Sequence, residues 1–242
     1  NFYKLIDRAV QDKLTFIADP ILDPISYGFT KSIERYIYLR EKYPDIHIMI
    51  GIGNITELTH ADTSGINMIM LGIVEELKLN HILTTQVSRH CSTVIRETDL
   101  ARRIIHAASE NNITPKHINN GLLINHGHKD YAYTSDELSD MKSNIKDKNY
   151  RIYVNDDGVH LFNKTIYKVF SDPYDFYEFL EVDEDSGHSF YLGVELARAQ
   201  IAYQLRKEYS QDEELDWGCL IDKKADNKLQ SKELGPTFKK RK

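Results

Sequence analysis

The sequence predicts an α/β fold, a parallel sheet wrapped by helices, followed by a smaller α+β domain. Three observations predict it. Short apolar runs alternate with amphipathic helical stretches at a spacing of roughly 30 residues, the rhythm of strand–helix–strand units. Two of those runs empty into loops dense with carboxylates, amides and hydroxyls, where α/β proteins place their chemistry. From about Gly121 the alternation stops and hairpin signals replace it.

In chain order, residues 2–11 place Phe2, Leu5, Ile6, Ala9 and Val10 on one helical face. Residues 15–18 read as a short buried strand, and 32–43 as a helix with Ile33, Tyr36, Ile37 and Arg40 on one side. Pro44 closes that helix, because proline drives the residue before it out of the helical region. A strand follows over 47–52. The next helix spans 65–77, apolar at Ile66, Ile69, Met70, Ile73, Val74 and Leu77, with Thr63 and Ser64 as its cap. A third strand covers 81–85 and a long helix 93–111. This alternation calls for parallel pairing through right-handed crossovers, and three such repeats leave an eight-stranded barrel five strands short. The chain also enters a helical pattern directly from Asn1, which predicts a piece of something longer.

In the second half, 122–125 reads as a strand and 135–145 as a charged helix capped by Ser135, with Asp136 and Glu137 in its first turn. Residues 150–155 and 158–162 alternate across Asp156-Asp157-Gly158, a hairpin signal, and 167–170 offers a third strand. Asp172-Pro173 starts a helix, and 188–209 forms a long one. Tyr209 to Trp217 reads as an anchor for that last helix, with Gln211, Asp212 and Trp217 as its alternative site residues. The expected domains are therefore 1–115, a partial barrel, and 121–221, a small α+β domain. Residues 222–242, polar and Lys-rich with a basic end at 238–242, read as a disordered tail.

Composition excludes several functions. The formal charge of −6 over 242 residues argues against nucleic acid as the main partner, since phosphate binding needs a basic face. No apolar run approaches the ~18 residues that suggest a membrane span. Cys91 and Cys219 are far apart, which predicts a reducing, cytoplasmic setting. Cys91 beside Arg89 and His90 reads as a buried or half-buried thiol rather than an activated one. The ten histidines are scattered, and His126-Gly127-His128 with Asp130 lacks a well-spaced third ligand, so no metal site is expected.

The first loop carries Asp19-Pro20 and Asp23-Pro24, then Gly28-Phe29. A carboxylate at a strand end can accept two parallel hydrogen bonds from an N–C–N edge such as a guanidinium or aminopyrimidine. It can equally bond its own backbone and shape the turn. Two in five residues suggest one carboxylate for each role. The second loop reads Gly51-Ile52-Gly53-Asn54-Ile55-Thr56-Glu57 and continues through Thr59 and Asp62. Its glycines permit close backbone approach, but Thr56 stands where the third glycine of a dinucleotide fingerprint belongs. Asn54 and Glu57 lie too far upstream to cap the following helix.

Asp19-Pro20-Ile21-Leu22-Asp23-Pro24-Ile25-Ser26-Tyr27-Gly28-Phe29, taken with Ile50-Gly51-Ile52-Gly53-Asn54-Ile55-Thr56, resembles the sixth and seventh strand ends of the dihydropteroate synthase family. These pterin-binding barrels also include methyltetrahydrofolate:corrinoid methyltransferases, and Asn80-His81-Ile82-Leu83-Thr84-Thr85-Gln86 would be the eighth strand. The likeness is strongest to an archaeal-type, dihydropteroate synthase-related branch. It extends to His188-Ser189-Phe190-Tyr191-Leu192-Gly193-Val194-Glu195-Leu196 and to the segment from Tyr209 through Gly218. The synthases carry a lysine in the seventh loop and Arg-x-His after strand eight, where this chain has Gly53-Asn54-Ile55-Thr56 and Thr84-Thr85-Gln86. Asn54 sits closer to the methyltransferase pattern.

The resemblance implies that the chain is the C-terminal portion, strands six to eight, of a TIM (β/α)8 barrel. It also implies a transferase-like, pterin-binding role in making a reduced coenzyme of the tetrahydromethanopterin or folate type. Asp19 or Asp23 would hold the pterin, Asn54 and Thr56 its neighbouring edge, and Glu57 or Asp62 would move a proton. A reduced pterin is the implied ligand, with Mg2+ as an admissible companion. The implied partners are the N-terminal part of the barrel or another chain, a homodimer being compatible. The alternatives are a pterin-dependent methyltransferase and a non-catalytic pterin-binding or assembly module.

Overall fold

The computed structural model describes residues 2–182 and 185–221. The expected tail at 222–242 lies outside the described residues. The chain divides into two compact units, one running up to Leu122 and joined by Gly218–Leu220, the other Leu123–Trp217.

The first unit is α/β. Helix α1 (Phe2–Gln11) leads into β1 (Ile17–Ala18), α2 (Phe29–Lys42), β2 (His47–Gly51), a single turn α3 (Gly53–Thr56), α4 (Thr63–Glu76), β3 (His81–Leu83) and α5 (Val94–Asn111). The strands pair in parallel in sequence order, β1-β2-β3, with Ile17 beside His47 and Met49 beside His81. Side chains alternate across a strand, so this register sorts them onto two faces. Ala18, Ile48 and Ile50 fall on one face and are buried in a core with Tyr36 and Leu39 of α2 and Met70, Leu71 and Val74 of α4. Ile17, His47, Met49, His81 and Leu83 fall on the other, where Ile17 and Leu83 are each about half exposed. Among the described residues, helices thus cover one face of this sheet only, whereas parallel sheets are ordinarily covered on both.

Helix α2 starts at Phe29, three residues ahead of expectation, because Gly28 takes the left-handed φ of 114° that turns the Asp/Pro loop into the helix. Arg40, expected on the apolar side, instead donates to the carbonyls of Pro44, Ile46, Leu77 and Lys78 and ties the end of α2 to that of α4. Thr63 is not a cap: Asp62 holds that position, and the Thr63 hydroxyl donates to buried Glu97 of α5, which also accepts from Asn67 and Thr93.

The second unit is α+β. An antiparallel meander of β4 (Arg151–Asn155), β5 (Gly158–Phe162) and β6 (Tyr167–Phe170) turns at Asp156-Asp157 as expected. Helix α7 (Ser186–Leu205) packs Leu192, Leu196, Ala199 and Ala202 onto it. Three local expectations are corrected. Residues 122–125 form no strand. Helix α6 (Ser135–Ser143) is capped by Thr134 in a reciprocal box with Glu137, one residue before Ser135. The helix expected to reach 209 stops at Leu205, where Arg206 turns left-handed. Asp172 does cap the next turn, but that turn is a 3-10 helix, Pro173–Phe179.

The segment beyond α7 is an anchor. Gln211 accepts from Ile152 N and donates to Tyr150 O, sealing the edge of β4. Buried Glu195 accepts from Arg198, the Tyr209 hydroxyl and the Asp212 amide. The Lys207 ammonium, also buried, donates to the carbonyls of Ile124 and Asp216 and lies 4.7 Å from the Trp217 ring centre.

Candidate binding site at the strand ends

Parallel strands expose their carboxyl ends to one side of a sheet, and the loops that leave them meet there. At this edge of the first unit a cleft of about 320 Å3 opens. Asp19 enters from β1, Asn54 and Glu57 from α3 behind β2, and Thr85 from beyond β3. Ile21, Leu22, Leu58 and Leu83 supply apolar wall, and Gly51 and Gly53 keep the backbone accessible. No lysine, arginine or histidine is among these lining residues.

Of the six expected site residues, Asp19, Asn54 and Glu57 line the cleft, and Asp23, Thr56 and Asp62 do not. The Asp19 carboxylate is oriented through one oxygen: Oδ1 accepts from Ile21 N at 2.9 Å and from the Tyr36 hydroxyl at 3.2 Å. Its Oδ2 has no protein donor among the described residues. Burial, reinforced by the Asp19 charge, pushes the Tyr36 hydroxyl well above its ordinary range, so this phenol remains a donor. Asn54 donates one amide hydrogen to Leu22 O at 2.7 Å, retaining Oδ1 and its second N–H for a ligand.

Glu57 is committed elsewhere. Its carboxylate accepts from Val87 N and Ser88 N, each at 2.8 Å, and from the Thr85 hydroxyl at 3.0 Å. These donors, the Val87 amide first, lower its pKa to about 2. A carboxylate so stabilised is a weak base, which corrects its expected role in moving a proton.

The three outlying residues have plain physical reasons. Asp23 pairs with Arg35 of α2 at 2.7 Å and braces the loop. Thr56 is fully buried in α3, its hydroxyl directed at Ile52 O. Asp62 is exposed at the N-cap of α4. Behind the cleft Cys91 is buried against Thr56 O, and burial followed by the Glu57 charge raises its thiol to about 11, as expected of an inert cysteine.

Sequence reasoning did not assign Thr85, Leu58 or Tyr36 a place in the site. Thr85 carried a signal, since it directly follows the third apolar run, whereas Tyr36 looks like any core residue of an amphipathic helix. A second cleft, of about 250 Å3 in the other unit, offers only the exposed Asp156 and Arg206, 3.9 Å apart, beside two tyrosines and a glutamine. Among the described residues no group of three or more His, Cys, Asp or Glu side chains could hold a metal ion, and no helix is long and apolar enough to cross a membrane.

Comparison with known proteins gives one informative match. Over 241 aligned residues the chain is 30% identical to an uncharacterized protein of Methanocaldococcus jannaschii. The alignment takes in 89% of this chain but 45% of that protein, so the chain spans about half the length of its relative. No family model matches the chain, and no solved structure matches it.

Proposed function

We propose that the strand-end cleft binds the ring of a reduced pterin, and that this unit is the C-terminal arc of a (β/α)8 barrel that makes or handles such a coenzyme. The observation that carries the reading is the pairing of the Asp19 carboxylate with the Asn54 amide in a cleft lined by carboxylates and no cation. The aminopyrimidine edge of a pterin presents adjacent N–H donors, of which Asp19 Oδ2 would accept one, and the Asn54 amide can serve the neighbouring donor and acceptor atoms. Leu22, Leu58 and Leu83 suit the flat apolar faces of such a ring.

The same charge balance disfavours pyrophosphate and aminobenzoate, the anionic partners in dihydropteroate synthesis. With Glu57 tied into a loop, the described residues supply ring recognition rather than proton transfer. This favours a pterin-binding module or methyl-transfer role over the synthase reaction. The barrel reading draws support from sequential parallel pairing and from a sheet covered on one face, with further strands, from a longer polypeptide or another chain, closing over the other.

Calorimetry with a reduced pterin tests the reading. Asp19→Asn removes a charge-assisted acceptor and should weaken binding about 10- to 100-fold. Asp23→Asn should leave affinity within a few-fold, because its partner is Arg35. Parental affinity in Asp19→Asn would remove the pterin from this cleft.

A further inference from the structure

His47 opens β2 and His81 opens β3, at the end of the sheet remote from the cleft. Strands rise ~3.3 Å per residue, which puts His47 ~13 Å along β2 from the cleft floor at Gly51, and His81, level with Met49, ~7 Å from it. The parallel register sets Met49 opposite His81 and so brings both histidines onto the face that the helices leave open. There His47 Nδ1 lies 3.0 Å from His81 Nε2, with ring centres 5.3 Å apart and planes tilted by 34°.

At that separation two neutral imidazoles share one hydrogen, one ring donating to the lone pair of the other. Moving that hydrogen to the far nitrogen of its own ring, a change of tautomer with no net proton loss, leaves both facing nitrogens with a lone pair to offer a ligand-seeking ion. An ion placed 2.0–2.1 Å from each nitrogen would see them at roughly 95°, the angle between neighbouring positions of a square-planar or octahedral ion and narrower than a tetrahedral one. We propose that His47 and His81 form a two-nitrogen chelate for a divalent late transition ion of tetragonal preference, such as Ni2+. Its remaining positions face away from the sheet, open to water and to donors from a layer covering this face. Because no third described His, Cys, Asp or Glu joins them, the described residues supply two ligands only. The site is independent of the pterin cleft and stands or falls separately from it.

The test is a calorimetric titration of the untagged, chelator-stripped chain with Ni2+ and, separately, with Zn2+ at neutral pH. One Ni2+ should bind per chain, more tightly than Zn2+. His47→Gln and His81→Gln should each lower Ni2+ affinity at least about tenfold, as loss of one ligand from a two-ligand site requires. His126→Gln should leave it unchanged. Equal Ni2+ affinity in the parent and the double variant would overturn the site, and tighter Zn2+ binding would overturn its tetragonal geometry. Nuclear magnetic resonance of the parent chain guards against variants that misfold. Zn2+ must shift the ring signals of His47 and His81 together, and rings that stay unmoved would equally sink the proposal.

Discussion

Glu57 spends its charge on the backbone of another loop. The carboxylate accepts two amides and a hydroxyl from Thr85, Val87 and Ser88, so it fastens the loop after β3 across the cleft rim. Those donors favour the ionised form, and the pKa of about 2 lies below the ordinary 4.5. A lowered value fixes the sign of the pH dependence. The fastening is complete above the ordinary value of 4.5 and fades as pH falls through about 2, when protonation converts an acceptor into a donor. Glu57→Gln makes part of that loss at neutral pH, since an amide substitutes a donor for one acceptor oxygen. Faster hydrogen exchange at the Val87 and Ser88 amides is the expected result, with pterin affinity falling less than in Asp19→Asn. Unchanged protection at both amides would show that the loop is held by something else. Asp19 and Asp23 look alike in the sequence, each followed by proline. They part company only because Tyr36 and Arg35, adjacent on α2, reach one each. That division needs the fold of a later helix, so local sequence could pose it and not resolve it.

At the scale of elements, Gly127 marks where the chain meets the end of α7. Its N–H donates to Leu205 O at 3.2 Å, and a Cβ added there would lie 1.9 Å from Arg206 O. Gly127→Ala therefore forces backbone apart and should cost about 1–3 kcal/mol, the usual penalty of overpacking. Urea unfolding of the variant measures it, and parental stability would mean that this contact gives way freely. In the sequence the same glycine sits between two histidines, which drew attention to metal rather than to packing. Element type was legible wherever period and punctuation agreed: the run before Gly51, the Asp-Asp-Gly turn and the Pro44 stop all fall where expected. Ends were less legible. Helix α7 stops at Arg206, a residue with no special liking for the left-handed region, because Lys207 N turns back to Ala202 O and its ammonium is drawn under Trp217. Histidines 34 residues apart were likewise scattered until parallel pairing placed them side by side.

For the whole molecule, the uncovered sheet face is the feature with most reach. Ile17 and Leu83 are apolar, which tells a reader of the sequence that they are covered somewhere but not by what. Ile17→Lys and Leu83→Lys discriminate. In this chain alone both should change stability by less than about 0.5 kcal/mol, as exposed positions do. In a longer polypeptide whose strands close over the face, each would bury an unpaired ammonium and cost ~2 kcal/mol or more. Thermal unfolding of both lengths reads the difference, and neutrality in the longer one would leave the barrel without its interior.

The pairing order has a consequence for how the polypeptide acquires its shape. Ile17 pairs with His47 and Met49 with His81, so each strand finds its neighbour across one helical crossover. Loop closure over such spans costs only slightly more entropy than over shorter ones, and parallel pairing across them is a slow step. The sheet can nevertheless assemble from β1 to β3 in the order of synthesis, each new strand adding to an edge already laid down, while later residues are still within the ribosome. The finished sheet of this chain displays greasy side chains at Ile17 and Leu83 on its open face, and that face is where a chaperone would find it.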